Sequence, residues 1–120
     1  MKMLRAVMIS IVILLIAGCE ALASIPCPTV IEDVAPCVRF LKSQSEHPSE
    51  ECCQGIKKLN GDADTQENRI TICQCFKKGL ATIGDYDPER IPQAPQDCGL
   101  SVTIPPIDQK TDCNKVSFMM

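Results

Sequence analysis

"ECCQGIKKLNGDADTQENRITICQCFKKGL", residues 51–80, sets Cys52 beside Cys53 and later places Cys73 one residue from Cys75. In a helix, adjacent side chains diverge by about 100° and the second pair by about 200°. Such neighbours point apart, so each cysteine calls for a partner elsewhere in the chain. A segment carrying two of them is then tied to two different neighbours.

Cross-links of this kind belong to an oxidising compartment, and the N-terminus points the same way. Lys2 and Arg5 precede an apolar run from Ala6 to Ala17, followed by Ala21-Leu22-Ala23. That is the plan of a secretory leader with an A-x-A cleavage site, and the run is shorter than the roughly 20 residues a membrane span needs. The same stretch, as Ile16-Ala17-Gly18-Cys19, also has the form of a lipoprotein acylation box. The leader reading assigns residues 1–23 to the signal and 24–120 to one mature domain beginning at Ser24. Cleavage there removes Cys19 and leaves eight of the nine cysteines, an even number in a short secreted chain, as in a disulfide framework.

Losing Lys2, Arg5 and Glu20 leaves ten basic and fourteen acidic residues, a net charge of −4, which argues against nucleic acid as a partner. A domain of this size buries only about 60–65% of its unfolded surface. Disulfides, typically worth about 2–5 kcal/mol each in small secreted domains, therefore carry much of the stability. The mature chain has no Trp, one Tyr (Tyr86) and three Phe (Phe40, Phe76, Phe118), so Ile, Val and Leu fill its interior.

Helical periodicity recurs along the chain. Val30, Val34, Cys37 and Leu41 fall on one face of a first helix, which Pro36 should bend at its middle. Ser49 is placed to cap a second helix, with Glu50 and Glu51 complementing its dipole and Cys52 or Cys53, Ile56 and Leu59 forming its buried stripe. "NGDAD", residues 60–64, reads as a loop, after which Thr65 caps a third helix bearing Ile72, Phe76, Leu80 and Ile83 on one face. Asp87-Pro88-Glu89 starts a fourth helix, with Asp87 as cap and proline at its first position. Pro92 and Pro95 keep that helix short, and from Gly99 through Pro105-Pro106 the chain reads as an extended tail pinned by Cys113. The fold expected is all-α.

The intervals between mature cysteines are nine residues from Cys27 to Cys37, fourteen to Cys52-Cys53, nineteen to Cys73, one to Cys75, twenty-two to Cys98 and fourteen to Cys113. This series closely resembles the eight-cysteine motif of plant non-specific lipid transfer proteins. The nine- and nineteen-residue gaps and the polar Gln74 are similar to the type 1 class. Eight cysteines allow 105 connectivities. The resemblance implies one of them: Cys27 with Cys75, Cys37 with Cys52, Cys53 with Cys98, and Cys73 with Cys113.

It further implies a bundle of four helices stapled by four disulfides around an internal hydrophobic tunnel for acyl chains, closed by the C-terminal tail. Val34, Val38, Leu41, Ile56, Leu59, Ile72, Phe76, Leu80, Ile83, Ile104 and Ile107 are the candidate lining residues; periodicity alone favours a solid core for them, and only the resemblance turns the reading to a tunnel. The family pattern T/S-x-x-D-R/K corresponds to Thr65 through Arg69, with Asn68 where Asp is expected, and makes Arg69 the candidate head-group contact. The tail pattern P-Y-x-I-S is met only at Pro105, because Pro106 replaces the tyrosine and Ile107 comes one residue early. Phe40 stands where the family often has Tyr.

The function implied is that of a secreted, extracellular carrier in the plant apoplast or cell wall. It would hold a fatty acid, acyl-CoA or phospholipid non-covalently, as a monomer without cofactor or metal, with transient contact at membrane surfaces. An amylase or trypsin inhibitor or storage protein of the same eight-cysteine superfamily is the alternative, as is a signalling or defence ligand read in its lipid-loaded form. Enzymatic chemistry has little to work with, since His47 sits alone in a polar loop and the cysteines are committed to disulfides. Asp62-x-Asp64 opens like a calcium loop, but Glu67 stands where glycine is required and Cys73 where the bidentate Glu belongs. Lys57-Lys58 and Lys77-Lys78 read as solvated helix faces.

Overall fold

A computed structural model describes residues 25–115. The expected leader, its cleavage site and Phe118 lie outside the described residues.

Helix α1, Cys27–Val34, begins after Pro26, and Pro28 sits in its first turn, where no backbone N–H is required. Pro36 then changes the form of the helix. The chain tightens into a 3₁₀ turn at Ala35–Cys37 before a last α-helical piece, α2, Val38–Leu41. This first helical arm closes with a double bond pattern in which the Ser43 N–H reaches the Phe40 carbonyl and the Gln44 N–H the Arg39 carbonyl. Ser43 takes the left-handed conformation, φ 60°, that the closure demands.

Helix α3, Glu50–Asp62, starts as expected, with the Ser49 hydroxyl accepting from the Cys52 N–H at 3.1 Å and two glutamates in the first turn. It runs further than the sequence suggested: Asn60, Gly61 and Asp62 are helical. Burial of Leu59 and Ala63 holds that last turn against the core, and Asn68 Nδ2 donates to the free Asp62 carbonyl. Helix α4, Gln66–Leu80, is capped by Thr65, whose hydroxyl accepts from the Asn68 N–H, and ends before Ile83.

Helix α5 spans Arg90–Asp97 and begins later than expected. Asp87 caps the turn that precedes it, its carboxylate accepting from the Glu89 N–H at 3.0 Å. Arg90 anchors the start of α5 to the end of α2. Its guanidinium donates to the carbonyls of Phe40 (3.1 Å) and Ser45 (2.9 Å) and lies 4.8 Å over the Phe40 ring.

Four disulfides join these elements: Cys27–Cys75 ties α1 to α4, Cys37–Cys52 the 3₁₀ turn to α3, Cys53–Cys98 α3 to the end of α5, and Cys73–Cys113 α4 to the tail. These are the partners named from the resemblance. The two paired-cysteine segments thus each grip two neighbours, as their diverging side chains require. The tail is also held by hydrogen bonds, from Lys77 Nζ to the Thr111 carbonyl, from Gln109 Nε2 to the Lys77 carbonyl, and from the Tyr86 hydroxyl to the Ile107 carbonyl, each at 2.8 Å.

Candidate functional site

The interior does not close into one core. Val30, Leu59, Ala63, Ile72 and Cys75 form one buried cluster; Cys37, Phe40, Cys52, Ile56 and Ala94 a second; Leu80, Ile91 and Ile107 a third. Where the three fail to meet lies a cavity of about 240 Å³. A void of this size would normally be filled by collapse of its walls, since unfilled space forfeits dispersion contacts. Here the walls belong to segments held at fixed separations by covalent bridges, and two of the bridged cysteines, Cys37 and Cys75, are themselves in the lining.

Of the candidate residues, Val34, Val38, Leu41, Ile56, Phe76, Leu80, Ile83 and Ile104 line this cavity. Leu59 and Ile72 line a second, smaller chamber of about 40 Å³, together with Asn60, Ala63 and Val102. Ile56, Phe76 and Ile104 border both spaces and stand between them. The lining of the large cavity includes Ile31, Ala35 and Thr82, which are exposed, so the cavity reaches the surface there. Ile31 is the exposed large hydrophobic residue among those described, at 38%.

Three candidates are placed otherwise. Ile107 lines neither space; it is fully buried, packs with Leu80 and Ile91, and offers its carbonyl to Tyr86. Asn68 serves the loop between α3 and α4, with Nδ2 donating to the Asp62 carbonyl and to Asp64 Oδ1, both at 3.1 Å. Arg69 Nη1 donates to the Ala63 carbonyl at 3.2 Å, so it stands behind the wall of the small chamber without facing into it. The motif alone puts both residues at the ligand; in the structure their polar groups are taken up by the end of α3 and the turn after it, at Asp62, Ala63 and Asp64.

Residues the sequence reading passed over complete the lining. Ile31, Val34, Val38 and Leu41 recur at i, i+3, i+7 and i+10, a stripe adjacent to the core stripe of Val30, Cys37 and Phe40. Its signal is legible in the sequence but shares Val34 and Leu41 with the face of Val30, Val34, Cys37 and Leu41. Ile91, Ala94 and Pro95 follow the same rule on α5. Lys42 also lacked any motif. Its ammonium donates at 2.7 Å to the carbonyl of Ile83, a residue of the large cavity's wall.

Tyr86 is the group in which a titration shift is resolved. Burial of its phenol, and secondarily the Asp108 carboxylate, push its pKa above the ordinary value. The described residues hold no group of three or more His, Cys, Asp or Glu side chains able to ligate a metal, and no helix among them is long and apolar enough to cross a membrane.

Residues 27–113 match the model of the protease inhibitor/seed storage/LTP family. A probable non-specific lipid-transfer protein 3 of Triticum aestivum is 36% identical over 112 residues, covering 93% of this chain and 91% of the relative. A non-specific lipid-transfer protein of Ambrosia artemisiifolia is 38% identical over 94 residues, 78% of this chain and 77% of its own. Among solved structures, barley non-specific lipid transfer protein 1 in complex with a lysophosphatidylcholine superposes with a TM-score of 0.67 at 25% identity, covering 78% of this chain and all of its own. A wheat non-specific transfer protein complexed with two phospholipid molecules gives 0.63 at 31% identity, covering 77% and 100%.

Proposed function

Because this chain belongs to the protease inhibitor/seed storage/LTP family, we propose that it carries lipid, taking an acyl chain into the cavity between its three apolar clusters. The observation that carries the reading is the cavity itself, about 240 Å³ of apolar-walled space kept open by four bridges. An inhibitor needs no such interior. Burying a methylene from water is worth about 0.8 kcal/mol, so a fatty chain supplies most of the affinity and the protein needs few polar contacts.

The polar head group stays at the open end, where Lys42 can exchange the Ile83 carbonyl for a carboxylate or phosphate oxygen. The exposed Ile31 beside that opening is suited to brief contact with a membrane surface during loading. The reading includes residues 1–23 as a removed leader, a monomeric extracellular carrier in the plant apoplast, and binding without catalysis, cofactor or metal.

The test uses delipidated protein with all four bridges intact. A fluorescent fatty acid should bind saturably and be displaced by unlabelled lysophosphatidylcholine, and labelled phospholipid should move between vesicles faster when the protein is added. Absence of saturable uptake, with inhibition of trypsin or amylase instead, would overturn the reading.

A further inference from the structure

The four bridges differ in how easily they can be reached. Cys75 is fully buried in Cys27–Cys75, Cys52 in Cys37–Cys52 and Cys73 in Cys73–Cys113, and in the last two the second residue is nearly so. Of the four, Cys53–Cys98 is the bridge in which both residues are partly exposed. Its surroundings are open as well. Cys98 closes α5, and Gly99 after it turns at φ 73° with nothing within 4 Å of where a Cβ would stand. Thiol–disulfide exchange requires a thiolate to reach a sulfur, so access orders the bridges by reactivity.

The same bridge has a distinct place in the frame. Helix α5 contributes Ile91, Ala94 and Pro95 to the wall of the large cavity, and Cys53–Cys98 is its covalent tie to another element. The other three bridges join α1, the 3₁₀ turn, α3, α4 and the tail without involving α5. At its start α5 keeps the anchor of Arg90 on the Phe40 and Ser45 carbonyls. Opening Cys53–Cys98 therefore frees the far end of one wall and leaves the rest of the frame cross-linked.

We propose that Cys53–Cys98 is a redox site through which an external dithiol loosens the α5 wall and releases bound lipid. The proposal rests on the carrier reading above and adds a control over it. One thiolate of the dithiol attacks one of the two sulfurs; the S–S bond breaks, a mixed disulfide forms, and the displaced cysteine leaves as a thiolate and takes up a proton. The second thiolate of the reductant then attacks the mixed disulfide, the other cysteine leaves and is protonated in turn, and the reductant departs as its own disulfide. Two electrons and two protons pass from the dithiol to the pair, and reoxidation reverses the step.

The experiment treats oxidised protein, loaded with a fluorescent fatty acid, with limiting dithiothreitol, traps free thiols with iodoacetamide at intervals and locates them by peptide mass spectrometry. Cys53 and Cys98 should be labelled about tenfold or more faster than any other cysteine, and fatty acid should leave the doubly labelled protein several-fold faster than the oxidised one. A double variant, Cys53→Ala with Cys98→Ala, should show the same faster release and gain nothing further from that dithiothreitol. Labelling of another pair first, or of all eight cysteines together, would overturn the redox site whether or not the double variant folds. Selective labelling with release unchanged would overturn the loosening of the wall. Oxidised protein that binds no fatty acid would overturn the carrier reading and the release with it, while the order of labelling would still decide the redox site.

Discussion

A Cβ placed on Gly55 would lie 1.7 Å from the carbonyl oxygen of Asp33, so α3 crosses α1 at a point where only hydrogen fits. The contact sets how closely the two helices approach. Gly55→Ala should therefore cost about 3 kcal/mol or prevent correct disulfide pairing, the upper part of the overpacking range. Gly61, in the same helix with nothing within 4 Å of its Cβ position, is the control. Gly61→Ala should be stabilising by about 0.5 kcal/mol. Urea denaturation of the two variants checks both signs.

Tyr86 gives the tail a pH-dependent tether. Its folded-state pKa lies above the unfolded value of about 10, because partial burial disfavours the phenolate and the Asp108 carboxylate adds to the effect; the hydroxyl also donates to the Ile107 carbonyl. This contribution to stability is fully present below the unfolded value and is lost as pH rises through the folded one. Tyr86→Phe should lower stability by about 1 kcal/mol at neutral pH and flatten the alkaline arm of the stability curve. As the chain has a single tyrosine, tyrosinate absorbance follows this group alone, alongside thermal melts.

The bridges are expected to matter to binding as much as to folding. Each is typically worth about 2–5 kcal/mol in a domain of this kind, and the cavity walls have no other covalent hold. Complete reduction should abolish fatty-acid uptake, and reoxidation should restore it. Undiminished uptake by the reduced protein, measured by fluorescence with free thiols counted, would separate the cavity from the disulfide frame.

Much of this was legible in the sequence, and the boundary of legibility has physical causes. Caps at Ser49 and Thr65 are local bonds between residues three apart, and they were placed from residue type alone. The helical state of Asn60–Asp62 was not, because it depends on burial of Leu59 and Ala63 and on a bond from Asn68. Residue type makes Asp87 a helix cap, whereas it caps the preceding turn, a difference of two residues that proline chemistry does not resolve. Periodicity found the lining stripe of α4, yet it could not tell Ile107, which is solid core, from Ile104, which borders the cavity. Lys42 and Arg90 act on backbone carbonyls more than forty residues away in the chain, and such acceptors have no residue signature.

Head-group preference should follow Lys42. A charge-assisted bond at a partly wet opening is worth up to about 1.5 kcal/mol, so wild type should bind a fatty acid up to about tenfold tighter than its methyl ester. Lys42→Met should remove that preference with ester binding little changed. Arg69→Ala should keep the preference and lose about 1 kcal/mol of stability as the α3–α4 loop loosens. The opposite pattern, preference lost in Arg69→Ala and kept in Lys42→Met, would return the head-group role to Arg69.

The central claim is where the chain goes, and methyl-resolved NMR of the oxidised protein titrated with palmitate tests it most directly. Contacts between ligand methylenes and the methyl groups of Val34, Leu41, Ile56 and Ile83 should appear and saturate together. Saturable binding that leaves those four methyl signals unmoved, with all contacts at surface residues, would contradict the account.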